Sequence, residues 1–360
     1  MNQPQVPPPV AGMAGGAALP ATAFPVVEAA GSARRMGRAH GEQAAPLVAR
    51  YLEAIERWCG LDREALGRRA RSFLPLLERF STAYVEEVRG LAEGAGITFE
   101  QALVCQVRLE AGRAPEGCSA FALTGGATPD GRPLAGQNQD LEPEYDAFGI
   151  VLRLRPDDGR PRAVCFTFAG QLGYAGMNEH GVANFANALF NHRWRPGLPW
   201  YPVRRAFLEQ ASVAGCLAIA RAWRTCSAAN IVLCDGAGAI GDVEIRPEEA
   251  VEYRGPVADA RLHTNHYISD RFRPFEDGTS PDSPGRLDRL TTLVREGWGG
   301  WDVAGLARLL ADHTGDPAGI CRHGGGGTHS IAGYIAEPAR GLLHVRRGHG
   351  CTGTWTAYEV

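Results

Sequence analysis

One change of pattern governs this chain. Between residues 32 and 112 apolar side chains recur at helical spacing: Leu47, Tyr51, Leu52 and Ile55 share one face, as do Phe73, Leu76, Leu77 and Phe80, with Arg and Glu opposite. Gly94-Ala95-Gly96 breaks the run, and Thr98 starts another helix through about residue 109. A short linker with Gly and Pro, residues 111–116, then gives way to strands at 119–124, 134–138, 149–154, 163–168 and 182–189. Turn sequences such as Pro156-Asp157-Asp158-Gly159 separate them. A helical stretch at 202–224, broken near Ala214-Gly215, precedes strands at 230–234, 240–245 and 250–253. Helices at 286–295 and 303–313 and closing strands at 331–335, 341–346 and 352–360 complete the order. This order predicts an α+β layered protein whose sheets are covered by helices.

The boundary itself carries chemistry. Gly117-Cys118-Ser119-Ala120-Phe121 reads as a strand, Pro129-Asp130-Gly131 as a turn, and Gly136-Gln137-Asn138-Gln139-Asp140 as the return strand. A glycine directly before a cysteine at such a boundary points to a cleavage site between Gly117 and Cys118. Cys118 would then carry both a thiol and an α-amine, and that amine titrates near pH 8, close enough to neutral to act as base to its own thiol. The hairpin return would bring Asp140 back to hold the amine. The competing reading is a buried structural cysteine, since unpaired cysteines are among the most buried residues.

Composition removes several rivals. The chain of 360 residues has room for one large core or two modest domains, and its net charge of -3 with no long basic run leaves no footprint for nucleic acid. No apolar run approaches the roughly 18 residues of a membrane span. The sequence contains no lysine, so a lysine Schiff base, a P-loop lysine and a kinase lysine are all excluded. Heavy use of Arg, Ala and Gly suggests a GC-rich bacterial genome. Nine scattered cysteines without a CxxC pair suit reduced core residues in a cytoplasm better than a disulfide framework. Residues 1–24, rich in Pro, Ala and Gly, are expected to be a disordered tail and not a signal peptide.

Other motifs read as structure. Gly236-Ala237-Gly238-Ala239-Ile240-Gly241 fits GxGxxG, but the strand-like Asp242-Val243-Glu244-Ile245 follows where a dinucleotide site needs a helix, so a hairpin turn is expected. The run from 324 to 327 lacks the Lys-Ser/Thr of a P-loop. His263 and His266, His323 and His329, and His344 and His349 show no HExxH frame, so no metal is expected. There is no GxSxG elbow. In His263-Thr264-Asn265-His266, the Asn265 amide could donate to an oxyanion or hold a nucleophile's amine. Asn184 and Asn187 lie among small apolar residues, an odd choice for a buried strand unless their amides have partners.

Taken together these stretches resemble the acyl-coenzyme A:isopenicillin N acyltransferase family of self-processing N-terminal nucleophile (Ntn) hydrolases, relatives of penicillin V acylase and bile salt hydrolase. The matching stretches occur in the family's order: Arg35-Met36-Gly37-Arg38-Ala39-His40-Gly41, Gly117-Cys118-Ser119-Ala120-Phe121, Gly136-Gln137-Asn138-Gln139-Asp140, Asn178-Glu179-His180-Gly181-Val182-Ala183 with Asn187-Ala188-Leu189, His263-Thr264-Asn265-His266, and Ile320-Cys321-Arg322. The resemblance implies a four-layer αββα sandwich of two mostly antiparallel sheets. It implies self-cleavage into a helical N-terminal segment, 25–117, and a catalytic segment, 118–360, that stay together as one compact α/β heterodimer. It makes Cys118 the nucleophile, Asp140 the residue that orients its amine and Asn265 an active-site amide. Asn187 falls near an oxyanion-hole position, and Arg322 matches an arginine that lines the site.

The expected activity is cleavage or transfer of an acyl group at a linear amide or acyl-thioester through a Cys118 acyl-enzyme. Amide hydrolysis is slightly favoured, because water competes for a thioester unless a closed site excludes it. Acyl-CoA-dependent N-acyl transfer is the alternative, with acyl-CoA as co-substrate and no cofactor otherwise. The partner is then a small acyl compound, with no nucleic acid and no membrane. A non-enzymatic protein keeping this fold with Cys118 uncut is the rival from another class. The linker, the glycine run and residues 194–201 depart from the family pattern and are expected to shape the substrate pocket.

Overall fold

The computed structural model describes residues 22–107, 117–189, 195–278, 280–324 and 327–360. Strand β1 (Val26–Gly31) leads into the long helix α1 (Ala33–Cys59), which the Ser32 hydroxyl caps and Gly60 closes in the left-handed region at φ 60°. Helices α2 (Arg63–Arg71), α3 (Leu74–Phe80) and α4 (Thr82–Ala95) follow, then α5 (Phe99–Gln106), opened by a capping box of Thr98 and Gln101. Beyond them come β2 (Gly117–Leu123), β3 (Leu134–Leu141), β4 (Gly149–Pro156), β5 (Ala163–Phe168), β6 (Ala175–Asn178) and β7 (Ala183–Ala188). Helices α6 (Trp200–Phe207) and α7 (Val213–Ala222) precede β8 (Ala229–Cys234), β9 (Ile240–Arg246), β10 (Glu249–Glu252) and β11 (Ala260–His263). Helices α8 (Ser283–Glu296) and α9 (Val303–Leu309) lead to β12 (His329–Glu337), β13 (Leu342–Arg347) and β14 (Thr354–Glu359).

The strands form two sheets, ordered β1-β4-β5-β6-β7-β8-β9-β10 and β11-β2-β3-β12-β13-β14. Every pairing is antiparallel except β1 with β4. Side-chain alternation shows how they stack. On β8, Ile231 and Leu233 pack with Val203 and Phe207 of α6 and Cys216 of α7, while Val232 and Cys234 face the core between the sheets. On β2, Phe121 and Leu123 pack with Leu290 and Leu306 of α8 and α9, while Ala120 and Ala122 face inward. Across the middle, Tyr334 of the smaller sheet stacks on Phe185 of the larger at 6.0 Å and meets Phe166 at 5.3 Å. The layers therefore run helix, sheet, sheet, helix, as expected.

Two features depart from the sequence reading, and one motif follows it. The N-terminal segment is not purely helical, because β1 joins the larger sheet beside β4. Its parallel edge position, flanked by Pro25, gives little alternation to detect. Phe24, placed in the expected tail, is buried against Phe166; residues 1–21 lie outside the described residues, as does the linker through 116. The GxGxxG match is the β8–β9 hairpin, turned by Gly238 at φ 92°, as its following alternation predicted.

Two contacts tie the N-terminal helices to the sheets. Buried His40 on α1 accepts from Gly170 N at 3.0 Å through Nε2, and burial lowers its pKa to about 4, keeping the ring neutral. Glu87 of α4 pairs with Arg205 of α6 at 2.9 Å, both buried. Helices α1 and α4 run in the same direction at very short range, because Gly37 and Gly41 of one meet Gly90 and Gly94 of the other. A Cβ on Gly37 would lie 1.8 Å from Glu87 O, and one on Gly90 2.0 Å from Arg34 O. Gly37→Ala should therefore lower stability by roughly 1–3 kcal/mol through overpacking, where propensity alone favours alanine by about 1 kcal/mol. Urea unfolding measures the sign, and an unchanged or raised midpoint would show that the two helices part without cost.

Candidate active site

Cys118 sits at the start of β2, held between β3 and β11. It shares the inward face of that strand with Ala120 and Ala122 and is fully buried. Its neighbours Gly117 and Ser119 face the α8 side. The ladder pairs Gly117 with Asp140 and Cys118 with Gln139. The hairpin return thus brings the Asp140 carboxylate beside the Gly117–Cys118 peptide bond: a Cβ on Gly117 would be 3.0 Å from Asp140 Cβ, 3.3 Å from Asp140 Oδ2 and 3.1 Å from Arg322 Nη1.

Asn265 follows the end of β11, and its Oδ1 accepts from Cys118 N at 2.8 Å and from Arg286 Nη2 at 2.9 Å. Two donors converge on that oxygen, which fixes which way the amide points. Its Nδ2 in turn donates to Ala188 O at 3.0 Å. The amide oxygen is thus turned to the Cys118 nitrogen, while one of the two Nδ2 hydrogens goes to Ala188 O. Ser283 holds the loop from behind, its hydroxyl accepting from Asn265 N at 2.7 Å.

Arg286 is the hub. Buried on the first turns of α8, it donates to Cys118 O at 2.6 Å, Ser119 Oγ at 3.0 Å, Asn265 Oδ1 and, through Nε, Asp282 Oδ2 at 2.7 Å. Asp282 also meets Arg322 Nη1 at 3.0 Å. Burial would raise the Asp282 carboxyl, but Arg286 and Arg322 hold it below its ordinary value. Asp140 is different: burial dominates and raises its pKa against the pull of Arg286, Ser330, Arg322 and Arg346. Its Oδ1 accepts from Ser330 Oγ at 2.6 Å, and its Oδ2 has no partner among the described residues. Ser330 also places Arg322, accepting from its backbone N at 2.9 Å.

Asn187 faces the same inter-sheet space, donating to His263 O at 3.3 Å while its Oδ1 has no partner among the described residues. Both ring nitrogens of His263 face acceptors, Thr264 O at 2.7 Å and Glu244 Oε1 at 3.1 Å, which describes an imidazolium. Burial opposes that charge, but Asp242 and Glu244 outweigh it and raise its pKa. Beside Cys118, both amide atoms of fully buried Gln139 lack partners among the described residues.

The structure thus brings Cys118, Gly117, Asp140, Asn265 and Arg322 into one cluster, with Asn187 one hydrogen bond away through His263. Sequence reasoning missed Arg286, Asp282, Ser283 and Ser330. Arg286 reads as an ordinary first-turn helix residue, and only its place among apolar neighbours at the core-facing spacing could have flagged it.

The family model described as acyl-coenzyme A:6-aminopenicillanic acid acyl-transferase matches residues 127–347, which include Asp140, Asn187, Asn265 and Arg322 and begin after Cys118. A protein of Emericella nidulans described as the 40 kDa form of acyl-coenzyme A:6-aminopenicillanic-acid-acyltransferase is 29% identical over 245 residues, 66% of this chain and 67% of its own. Among solved structures, a variant of the conjugated bile acid hydrolase from Clostridium perfringens matches 68% of this chain and 97% of its own at 12% identity, with a TM-score of 0.47. Penicillin V acylase from Agrobacterium tumefaciens matches 68% of this chain and 86% of its own at 12% identity, with a TM-score of 0.48.

Arg286→Met tests the hub directly. It leaves Asp282 with one cation and Cys118 O with none of its present charge-assisted bond, so the fold should lose about 3 kcal/mol or more. Chemical denaturation measures this, and a loss below about 1 kcal/mol would show that water or neighbours replace the guanidinium.

Proposed function

The chain belongs to the acyl-coenzyme A:6-aminopenicillanic acid acyl-transferase family, and we propose that its nucleophile is Cys118, freed by cleavage of its own bond to Gly117. Membership makes it an acyl-transferring or amide-hydrolysing enzyme; the cysteine chemistry is our reading. One observation carries it: the nitrogen that would become the α-amine is already held by Asn265 Oδ1, with an Asp140 oxygen that has no partner among the described residues beside the same peptide bond.

In the precursor the Cys118 sulfur attacks the Gly117 carbonyl carbon. The C–N bond breaks, the nitrogen takes up the thiol proton, and a thioester joins Gly117 to Cys118. Water then hydrolyses the thioester to give the Gly117 carboxylate and the free thiol. Glycine suits the acyl side, since any side chain there would crowd Asp140 and Arg322. In the mature enzyme the α-amine takes the thiol proton as sulfur attacks a substrate amide or thioester carbonyl, and returns it to the leaving group. The ammonium formed in between would be stabilised by Asp140, and that positive charge in turn favours the ionised carboxylate. In this reading Arg322, whose Nε has no partner among the described residues, would line the substrate site.

The acyl group then passes to water, which we favour slightly, giving a linear-amide hydrolase. The 29% identity to an acyl-coenzyme A-dependent fungal acyltransferase supports the second reading, transfer from acyl-coenzyme A to an acceptor amine. A panel of N-acyl amines, acyl-amino acids and β-lactam side-chain amides, with and without acyl-coenzyme A, separates the two.

Asp140→Asn keeps an oxygen for Ser330 but removes the charge, so maturation and turnover should both slow by at least about tenfold while the fold survives. Wild-type rates in that variant would remove Asp140 from the mechanism. Freshly purified protein should consist of two associated pieces, one ending at Gly117 and one beginning at Cys118, with Cys118→Ala uncut and inactive. Intact-mass measurement decides the matter, because an active wild-type chain that stays whole would sink the proposal.

A further inference from the structure

Behind Arg322, on the side away from Cys118, four metal-ligating side chains from three segments converge. His313 follows α9, Cys321 and His323 flank Arg322 in the extended segment before β12, and Cys351 lies in the β13–β14 turn. One donor atom from each lies within 4.8 Å of every other. His313 Nε2 is 2.8 Å from His323 Nε2, and Cys351 Sγ is 3.2 Å from that same nitrogen. A neutral imidazole nitrogen has one proton or one lone pair, so hydrogen bonding alone cannot fully satisfy both contacts. A tetrahedral cation with Zn–N near 2.0–2.1 Å and Zn–S near 2.3 Å spaces its donors by about 3.3–3.8 Å; the 2.8 Å and 3.2 Å contacts fall a few tenths of an ångström short of that, within the reach of a small side-chain adjustment.

The backbone holds this arrangement without help from the side chains. Cys321 N donates to Asp312 O at 2.9 Å, which sets Cys321 beside His313. The turn carrying Cys351 closes on the same spot because Gly350 has no side chain: a Cβ there would lie 2.3 Å from Leu310 O and 3.0 Å from Cys321 Sγ. His349 stacks on His323 at 4.7 Å with 20° between the rings, steadying the imidazole. Cys321, buried, and Cys351, exposed, are not joined in a disulfide.

We propose that His313, Cys321, His323 and Cys351 form a zinc site that clamps the segment carrying Arg322 to the α9 end and the β13–β14 turn. Two thiolates and two imidazoles suit a borderline-soft d10 cation, and four protein donors leave no open position, so the ion is structural. Each thiol loses its proton to solvent as its sulfur–metal bond forms. Alternation along the segment puts Cys321 and His323 on the metal side and Arg322 on the opposite side, facing Asp282. The expectation of no metal rested on histidine pairs near in sequence; these donors are spread from 313 to 351 and match no spacing rule.

The test uses tag-free full chain kept reduced, stripped with chelator and titrated with cobalt(II). The wild type should take up one equivalent with intense visible bands of tetrahedral cobalt and a near-ultraviolet thiolate band, and protein as purified should hold about one zinc by elemental analysis. His313→Ala and Cys351→Ser, both at exposed positions, should weaken cobalt binding by about 100-fold or more, one ligand's share of the binding energy. Cys118→Ala should bind as the wild type does, so the outcome is independent of the proposed nucleophile. Wild-type uptake no stronger than that of either ligand variant overturns the proposal. So does recovery of Cys321 joined to Cys351 as a disulfide in protein that takes up no cobalt after reduction.

Discussion

A buried guanidinium is the constraint around which the site is built. Desolvating Arg286 costs several kcal/mol, and that cost is offset only when its donors are filled. Cys118 O, Ser119 Oγ, Asn265 Oδ1 and Asp282 Oδ2 fill them, so one side chain sets the Cys118 carbonyl, the amide facing the Cys118 nitrogen and the carboxylate that meets Arg322. A lysine could not serve: its compact ammonium offers no planar fork to acceptors on three sides. The chain contains no lysine at all, and its interior also buries Arg205, paired with Glu87, and Arg204 and Arg346, whose Nη2 and Nη1 respectively have no partner among the described residues.

A second polar layer lies between the sheets. Asn187, Asn230, Asp242 and Glu244 project inward from the larger sheet onto His263 of the smaller one, with Asn230 bonded to Asp242. Burial pushes the Asp242 carboxyl up to about 7, against the pull of His263. Glu244 also accepts from the backbone of Ile268 at 2.6 Å and from the Ser269 hydroxyl, so the loop after Asn265 is anchored at both ends. The polar band supplies a rigid floor where an apolar core would let the Asn265 loop slide.

The helix-to-strand switch near residue 117, most strands and the hairpin linking Cys118 to Asp140 were legible because alternation and turn residues are local signals. β1 was not, since a parallel edge strand is recognisable only beside its partner. The Asn265 amide was legible as one able to serve an oxyanion or an amine, but its orientation depends on Arg286, whose importance exists only in three dimensions. Ser330 and Asp282 likewise look like ordinary loop residues until their partners arrive from far along the chain. The zinc-type donors were hidden for the same reason, because their common location depends on Gly350 fitting against Leu310.

The pairing of β1 with β4 has a consequence for the order of the folding reaction. The segment before Gly117 contributes a strand to the larger sheet, a buried His40 and the Glu87 partner of Arg205. An uncut chain brings these to the rest of the protein as a tethered neighbour, whatever its concentration. If the bond at Gly117 is broken as proposed, the same contacts would join two separate molecules, and refolding would become bimolecular. Maturation would then act as a one-way gate: the native state keeps its contacts, but a chain that unfolds after cleavage must find its other half in solution.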